Sequence, residues 1–207
     1  MLGRVASLLT IALVAASIVG CGTSAQPRFY TLDSTATADG APAARAAVIV
    51  GPVSIPTAVD QPEFVVQVAP NRVEIEEFNR WAAPLNDIIA RAIAGDLAVL
   101  LGSPYVTTTP FADFDPAYRV TINVQRFESF KGEAALIDAV WAVHASAGGQ
   151  TRSGRTIARE AVQGNGFDAL AAAHSRALAQ VSTDIAAVIR TIGALPVATK
   201  SHRVSDN

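Results

Sequence analysis

Cys21, three histidines, the Ser175 hydroxyl beside His174 and the Asp113 and Asp115 carboxylates are the side chains of this chain best suited to nucleophilic, acid–base or metal chemistry. One thiol can neither close an internal disulfide nor supply a multi-cysteine zinc site. His144, His174 and His202 stand far apart, and none shares a recognisable zinc spacing with another candidate ligand. They read as structural or solvated groups: His144 on the less buried face of a strand, His174 on a helix flank, His202 in the tail. Adjacent helical residues point in different directions, so His174 and Ser175 cannot act as base and nucleophile. There is no G-x-S-x-G, and Asp113 and Asp115 in "FADFDPAY" read as turn formers. "GNGFDA", Gly164 to Ala169, matches G-x-G-x-x-A. A dinucleotide-binding unit also needs a further strand after the helix ending in an acidic residue, and here that helix is the last ordered element. Gly164 and Gly166 therefore read as a turn before a helix. No catalytic residue, metal site or cofactor is expected.

The position of Cys21 explains why one cysteine is present. Arg4 is the lone charge ahead of "VASLLTIALVAASIVG", an apolar run shorter than the roughly 20 residues that span a bilayer, with Gly20 and Gly22 after it. Residues 1–20 read as an export signal; membrane-spanning anchors are longer and flanked by more positive charge. Ile18-Val19-Gly20-Cys21 resembles the lipobox of bacterial lipoproteins, with Ile18 where Leu is usual. The resemblance implies that Cys21 is lipidated and becomes the new amino terminus. Each buried methylene contributes about 0.8 kcal/mol, so one acyl chain holds reversibly and two or three hold almost permanently. Cys21 is then an anchor. Gly22 is not the Asp that commonly retains a lipoprotein at the inner membrane, which favours the periplasmic face of the outer membrane. Residues 21–27 form a tether of at most roughly 24 Å.

Half of the 207 residues are hydrophobic, 16% are charged and the formal net charge is -2. One domain with a substantial core is expected, and neither a nucleic acid nor a strongly acidic lipid surface is the expected partner. The domain is placed at 28–196, with 197–207 a disordered tail.

The elements follow from periodicity. "RFYTLD" reads as a short strand and "STATADGAPAAR" as a loop. Pro52, Pro56, Pro62 and Pro70 confine the next strands to the intervals between them, with "PNR" a turn. Leu85, Ile88, Ile89, Ile93, Leu97 and Leu100 recur at helical spacing, predicting a helix over 83–101 with Pro84 in its first turn and Gly102 at its stop. After a weak strand, "YVTTTP", comes "YRVTINVQRFESF", where Tyr118, Val120, Ile122 and Val124 alternate with polar residues. Phe127 regains the inner face through a bulge near Gln125 or Arg126. "AALIDAVWAVHAS", the loop "AGGQTRSG" and the returning strand "RTIAREAVQ" complete an antiparallel meander. Leu170, Ala177, Leu178, Val181, Ile185, Val188, Ile189 and Ile192 stripe a last helix, which Asp168 either caps or complements through its dipole. The order β-β-β-β-α-β-β-β-β-α predicts a single α+β domain, two helices on a mainly antiparallel sheet. Trp81, at the start of the first helix, either fixes that helix to the sheet or contacts a partner.

"FYTL", "VGPVSIPTAVDQPEFVVQ", "RWAAPL", "YRVTINVQRFE" with "AVWAV", and "GFDALAAAHSRALAQVSTDIA" together resemble, in order, the PqiC-type auxiliary lipoproteins of ABC-type lipid transport systems. The resemblance implies an outer-membrane lipoprotein without catalysis of its own, a ring-shaped homo-oligomer. Its implied partners are a periplasmic MCE-domain protein and an inner-membrane permease and ATPase. Pro62, Arg80, Trp81, Pro84 and Leu85 carry over as motif positions with no contact assigned. Gln61 and Gln67 stand where the family often has Arg, and Ala83 where it has Glu; either a structural ion pair is lost or the partner surface differs. The alternative is a stand-alone periplasmic lipid- or ligand-binding lipoprotein; a periplasmic hydrolase would need a pocket the sequence does not reveal.

Overall fold

The computed structural model describes residues 25–194. The export signal, Cys21, most of the tether, His202 and the tail lie outside the described residues. The elements are β1 (Arg28–Tyr30), β2 (Val48–Ser54), β3 (Glu63–Ala69), β4 (Arg72–Trp81), α1 (Leu85–Leu101), β5 (Val106–Thr107), β6 (Tyr118–Phe130), β7 (Ala134–Ala145), β8 (Thr151–Ala161) and α2 (Gly166–Ala194). Four strands, a helix, four strands and a helix form one α+β domain around a single apolar core, as the periodicity predicts.

The eight strands form one sheet with both helices on one face. Its long pairings are antiparallel: β3 with β4, β6 with β7, and β7 with β8. The shorter ones are parallel, β1 with β4 and β2 with both β5 and β6, and one parallel bridge, Val66 to Ser129, joins β3 to β6. The sheet is thus mixed, because β2 and β3 lie end to end along the same edge of β6. Its long strand serves both: β2 spans Tyr118 to Asn123 and β3 reaches Ser129. Between them the β6–β7 register shifts at Val124 to Arg126, the expected bulge, and Phe127 returns to the core.

Four boundaries differ from expectation, each for a physical reason. Pro84 is not inside α1 but precedes it, with extended ψ 131°; Ala82 N–H still donates to the Tyr30 carbonyl, so the chain stays strand-like to that point. Pro52 lies within β2 and not between strands, where the ladder to β6 skips from Val50 to Val53 and needs no donor. β8 begins at Thr151, taking in residues assigned to the loop, because Gly154 faces Trp141 across the ladder. A Cβ at Gly154 would sit 2.3 Å from the indole, so the missing side chain gives the ring its seat. β1 ends at Tyr30, short of the expected Asp33. At the other end of α1, Gly102 adopts φ 57° while the Gly102 and Ser103 amides donate to Val99 and Ala98 carbonyls, closing the helix.

Candidate functional site

The five motif positions meet at the crossing from β4 into α1. The Trp81 amide donates to the Pro62 carbonyl at 2.6 Å, and Pro84 supplies the carbonyl that receives the Asp87 and Ile88 amides. Arg80 Nη2 lies 3.2 Å from Glu63 Oε1, and its Nε donates to the Glu77 carbonyl at 2.8 Å. Trp81 and Leu85 are buried. The Trp81 ring stacks on Phe64 with centroids 3.9 Å apart and meets Phe127 edge-on at 5.9 Å. The structure therefore places Trp81 in the core, where it packs the hairpin base against Phe127 of β6 and, edge-on, His174 of α2.

His174 completes this aromatic cluster. It is fully buried and not on a helix flank as expected: its ring lies 3.9 Å from and parallel to Phe127, and Nε2 is 2.8 Å from Ser129 Oγ. Nδ1 has no hydrogen-bond partner among the described residues. Burial disfavours the imidazolium and pushes the His174 pKa down to about 3, so the ring is neutral at physiological pH. Ser175 Oγ faces elsewhere, accepting from the Asp33 amide and donating to the Ala171 carbonyl. His144 is exposed, as expected, with Nδ1 2.9 Å from Thr151 Oγ1. Gly164 and Gly166, with φ 105° and 80°, form the expected turn before α2.

Asp96 escaped the sequence reading. It is a buried carboxylate on α1 that accepts from Ser34 Oγ and from the Thr35 and Ala36 amides, each at 2.9 Å, while Ser182 Oγ of α2 lies 3.1 Å away. It ties the loop after β1 to both helices. Gly95 lets that loop approach, since a Cβ there would meet Ser34 Cβ at 2.8 Å. A second clamp holds the loop from outside: Asp39 bonds Arg190 through both carboxylate oxygens, which keeps its carboxyl below the usual range. The signal for Asp96 was its spacing, three residues after Ile93 and four before Leu100 on an apolar stripe.

The helix-free face is different in kind. Phe64 and Val66 turn inward to the core, so Val65 and its cross-strand partner Ile75 turn outward. Val73 and Ile75 are exposed on this face, Ile75 to 54%, and elsewhere on the β3–β4 hairpin Val68 and Phe78 are exposed too. Where β2 and β3 part, a cleft of about 180 Å³ opens between Val59, Val65, Val73 and Phe127. On β7 and β8, Val140 and Ile157 are also exposed, and Arg155 bonds the buried Asp138 through both carboxylate oxygens, holding that carboxyl below its usual range. A further cleft of about 380 Å³, lined by Asn86, Asp87, Arg91, Thr108 and Thr109, lies beside the start of α1.

A family model described as ABC-type transport auxiliary lipoprotein component matches residues 30–186, which run from β1 well into α2. The chain belongs to that family. Two crystal structures share the fold of this auxiliary lipoprotein. One, an uncharacterized protein, has a TM-score of 0.65 at 21% identity, over 80% of this chain and 99% of its own. The other, a Xanthomonas campestris protein of the DUF330 family, has a TM-score of 0.64 at 22% identity, over 79% of this chain and 96% of its own. No curated protein matches. The family is a transport component and not an enzyme family. Among the described residues, no group of three His, Cys, Asp or Glu is gathered to hold a metal ion, and no helix is long and apolar enough to cross a membrane.

Proposed function

We propose that this auxiliary lipoprotein is a non-enzymatic subunit of an ABC-type intermembrane lipid transport system. It is anchored through lipidated Cys21 to the periplasmic face of the outer membrane, assembles as a homo-oligomer, and docks a periplasmic MCE-domain protein served by an inner-membrane permease and ATPase. Family membership is the observation that carries the reading. The lipobox at Ile18 to Cys21 supports the anchor. The one-sided fold supports the docking: helices cover one face of the sheet, and the other carries exposed Val73, Ile75, Val140 and Ile157.

Affinity purification of the full-length protein from detergent-solubilised envelopes tests this. Recovery of an MCE-domain protein is the expected result, and its absence would remove the docking role. The rival reading, a stand-alone carrier of a lipid or other ligand, draws on the 380 Å³ cleft, whose size suits a small ligand. Native mass spectrometry separates them: an empty oligomer is expected of the docking subunit, and a monomer retaining ligand of the carrier. Cys21→Ser should block lipidation and release the protein from the outer-membrane fraction.

A further inference from the structure

Among the described residues the sheet ends on three edges, a short one at β2 and β5 and two longer ones at β4 and β8, and the two longer ones are opposites. Along β1-β4-β3-β6-β7-β8, the outer edge of β4 is covered by β1 only over Asn79 to Trp81, and among the described residues no strand pairs with that edge at residues 72–78. At the far side β8 pairs, among the described residues, with β7 alone. An open strand edge is a template for another strand, and these two also carry exposed apolar side chains: Ile75, with Phe78 at 47%, on one and Ile157 at 59% on the other. The charges divide between them. The hairpin Glu63–Trp81 holds Glu63, Glu74, Glu76 and Glu77 against Arg72 and Arg80, whereas β8 holds Arg152, Arg155 and Arg159 against Glu160. Pairing either edge with its own copy would set like charges together; pairing one with the other opposes unlike charges.

Strand direction agrees. β4 runs against β6 and β8 runs with it, so two copies related by rotation about an axis along the strands would meet antiparallel. In the register that sets Ile75 against Ile157, Glu77 falls opposite Arg155 and Arg72 opposite Glu160. Ile75 and Ile157 both lie on the helix-free face, so the junction would make that face continuous from copy to copy.

We propose that the β4 edge of one copy docks on the β8 edge of the next, a head-to-tail contact that closes into a ring when the rotation permits. This deepens the homo-oligomeric part of the function proposed above and rests on it. The test is disulfide cross-linking of the full-length protein in detergent carrying Ile75→Cys, Ile157→Cys or both, with the unsubstituted chain as control for Cys21. The double variant should give a ladder extending beyond the dimer, and neither single variant should cross-link. Disulfide dimers from one single variant would overturn the proposal in favour of like-with-like packing. An oligomer of unchanged mass with no ladder would overturn the edge assignment while leaving the homo-oligomer intact; an unsubstituted chain that is monomeric would remove both. Independently, Glu74→Lys with Glu77→Lys should weaken assembly at least tenfold, roughly, by analytical ultracentrifugation with the circular dichroism spectrum unchanged. Unchanged assembly would count against the junction.

Discussion

The two faces of the sheet use the same two-residue alternation for different ends. On the helix-covered face the large inward side chains find partners within the chain: Trp81 on Phe64, His174 on Phe127, Trp141 over Gly154 and bonded to Thr156. On the helix-free face Val73, Ile75 and Ile157 are as apolar, yet nothing among the described residues covers them. Stability is concentrated on one side, and surface available for association on the other. Substitutions on the first should lower stability, and those on the second should leave it unchanged.

The strongest challenge to that division is Trp81→Ala. Loss of an aromatic side chain buried among Phe64, Phe127 and His174 should cost about 3–5 kcal/mol in urea unfolding. A loss under 1 kcal/mol would mean that the ring serves a surface role. Asp96→Ala comes next, because it strands the Thr35 and Ala36 amides; a loss of about 2–4 kcal/mol is expected, with protease cleavage of the loop 31–47 accelerated.

His174 sharpens the contrast through pH. Its folded pKa, about 3, lies below the unfolded value near 6.5, so the unfolded chain binds more protons between them and stability falls as pH drops. The expected slope is about 1.4 kcal/mol per pH unit once below pH 6, or roughly 2 kcal/mol lost between pH 7 and pH 5. His174→Gln should abolish that slope in the same window, above the range where Asp39 and Asp138, both held low by arginines, take up protons. The smallest effect belongs to the open face: Ile75→Ser should change unfolding free energy by less than about 0.5 kcal/mol. A larger change would show that the hairpin is buttressed from within.

Local pattern made much of this fold legible. The alternation in Tyr118 to Phe130 settles β6, bulge included, because each step of two assigns a residue to one face. The apolar stripe sets α2, and the paired glycines its start. The parallel contacts of β2 and β3 with β6 were not legible, since they depend on which distant strands share an edge. His174 was misread by type: it stands four residues from both Leu170 and Leu178, squarely on the stripe, and position outweighed polarity. Asp96 repeats the lesson on α1. The motif positions were legible as a group, but only the folded chain shows Trp81 turned inward while Arg80 faces Glu63.

The meeting of β2 and β3 along one edge of β6 has a kinetic consequence. The hairpin joins the rest of the sheet through the Val66–Ser129 bridge, with β1 paired only to its base, whereas β6 and β7 are laced along their whole lengths. Amide protons near the Pro70–Asn71 turn should therefore trade with deuterium through small fluctuations of the arm, while those of Val120 to Phe127 wait for the whole molecule to come apart.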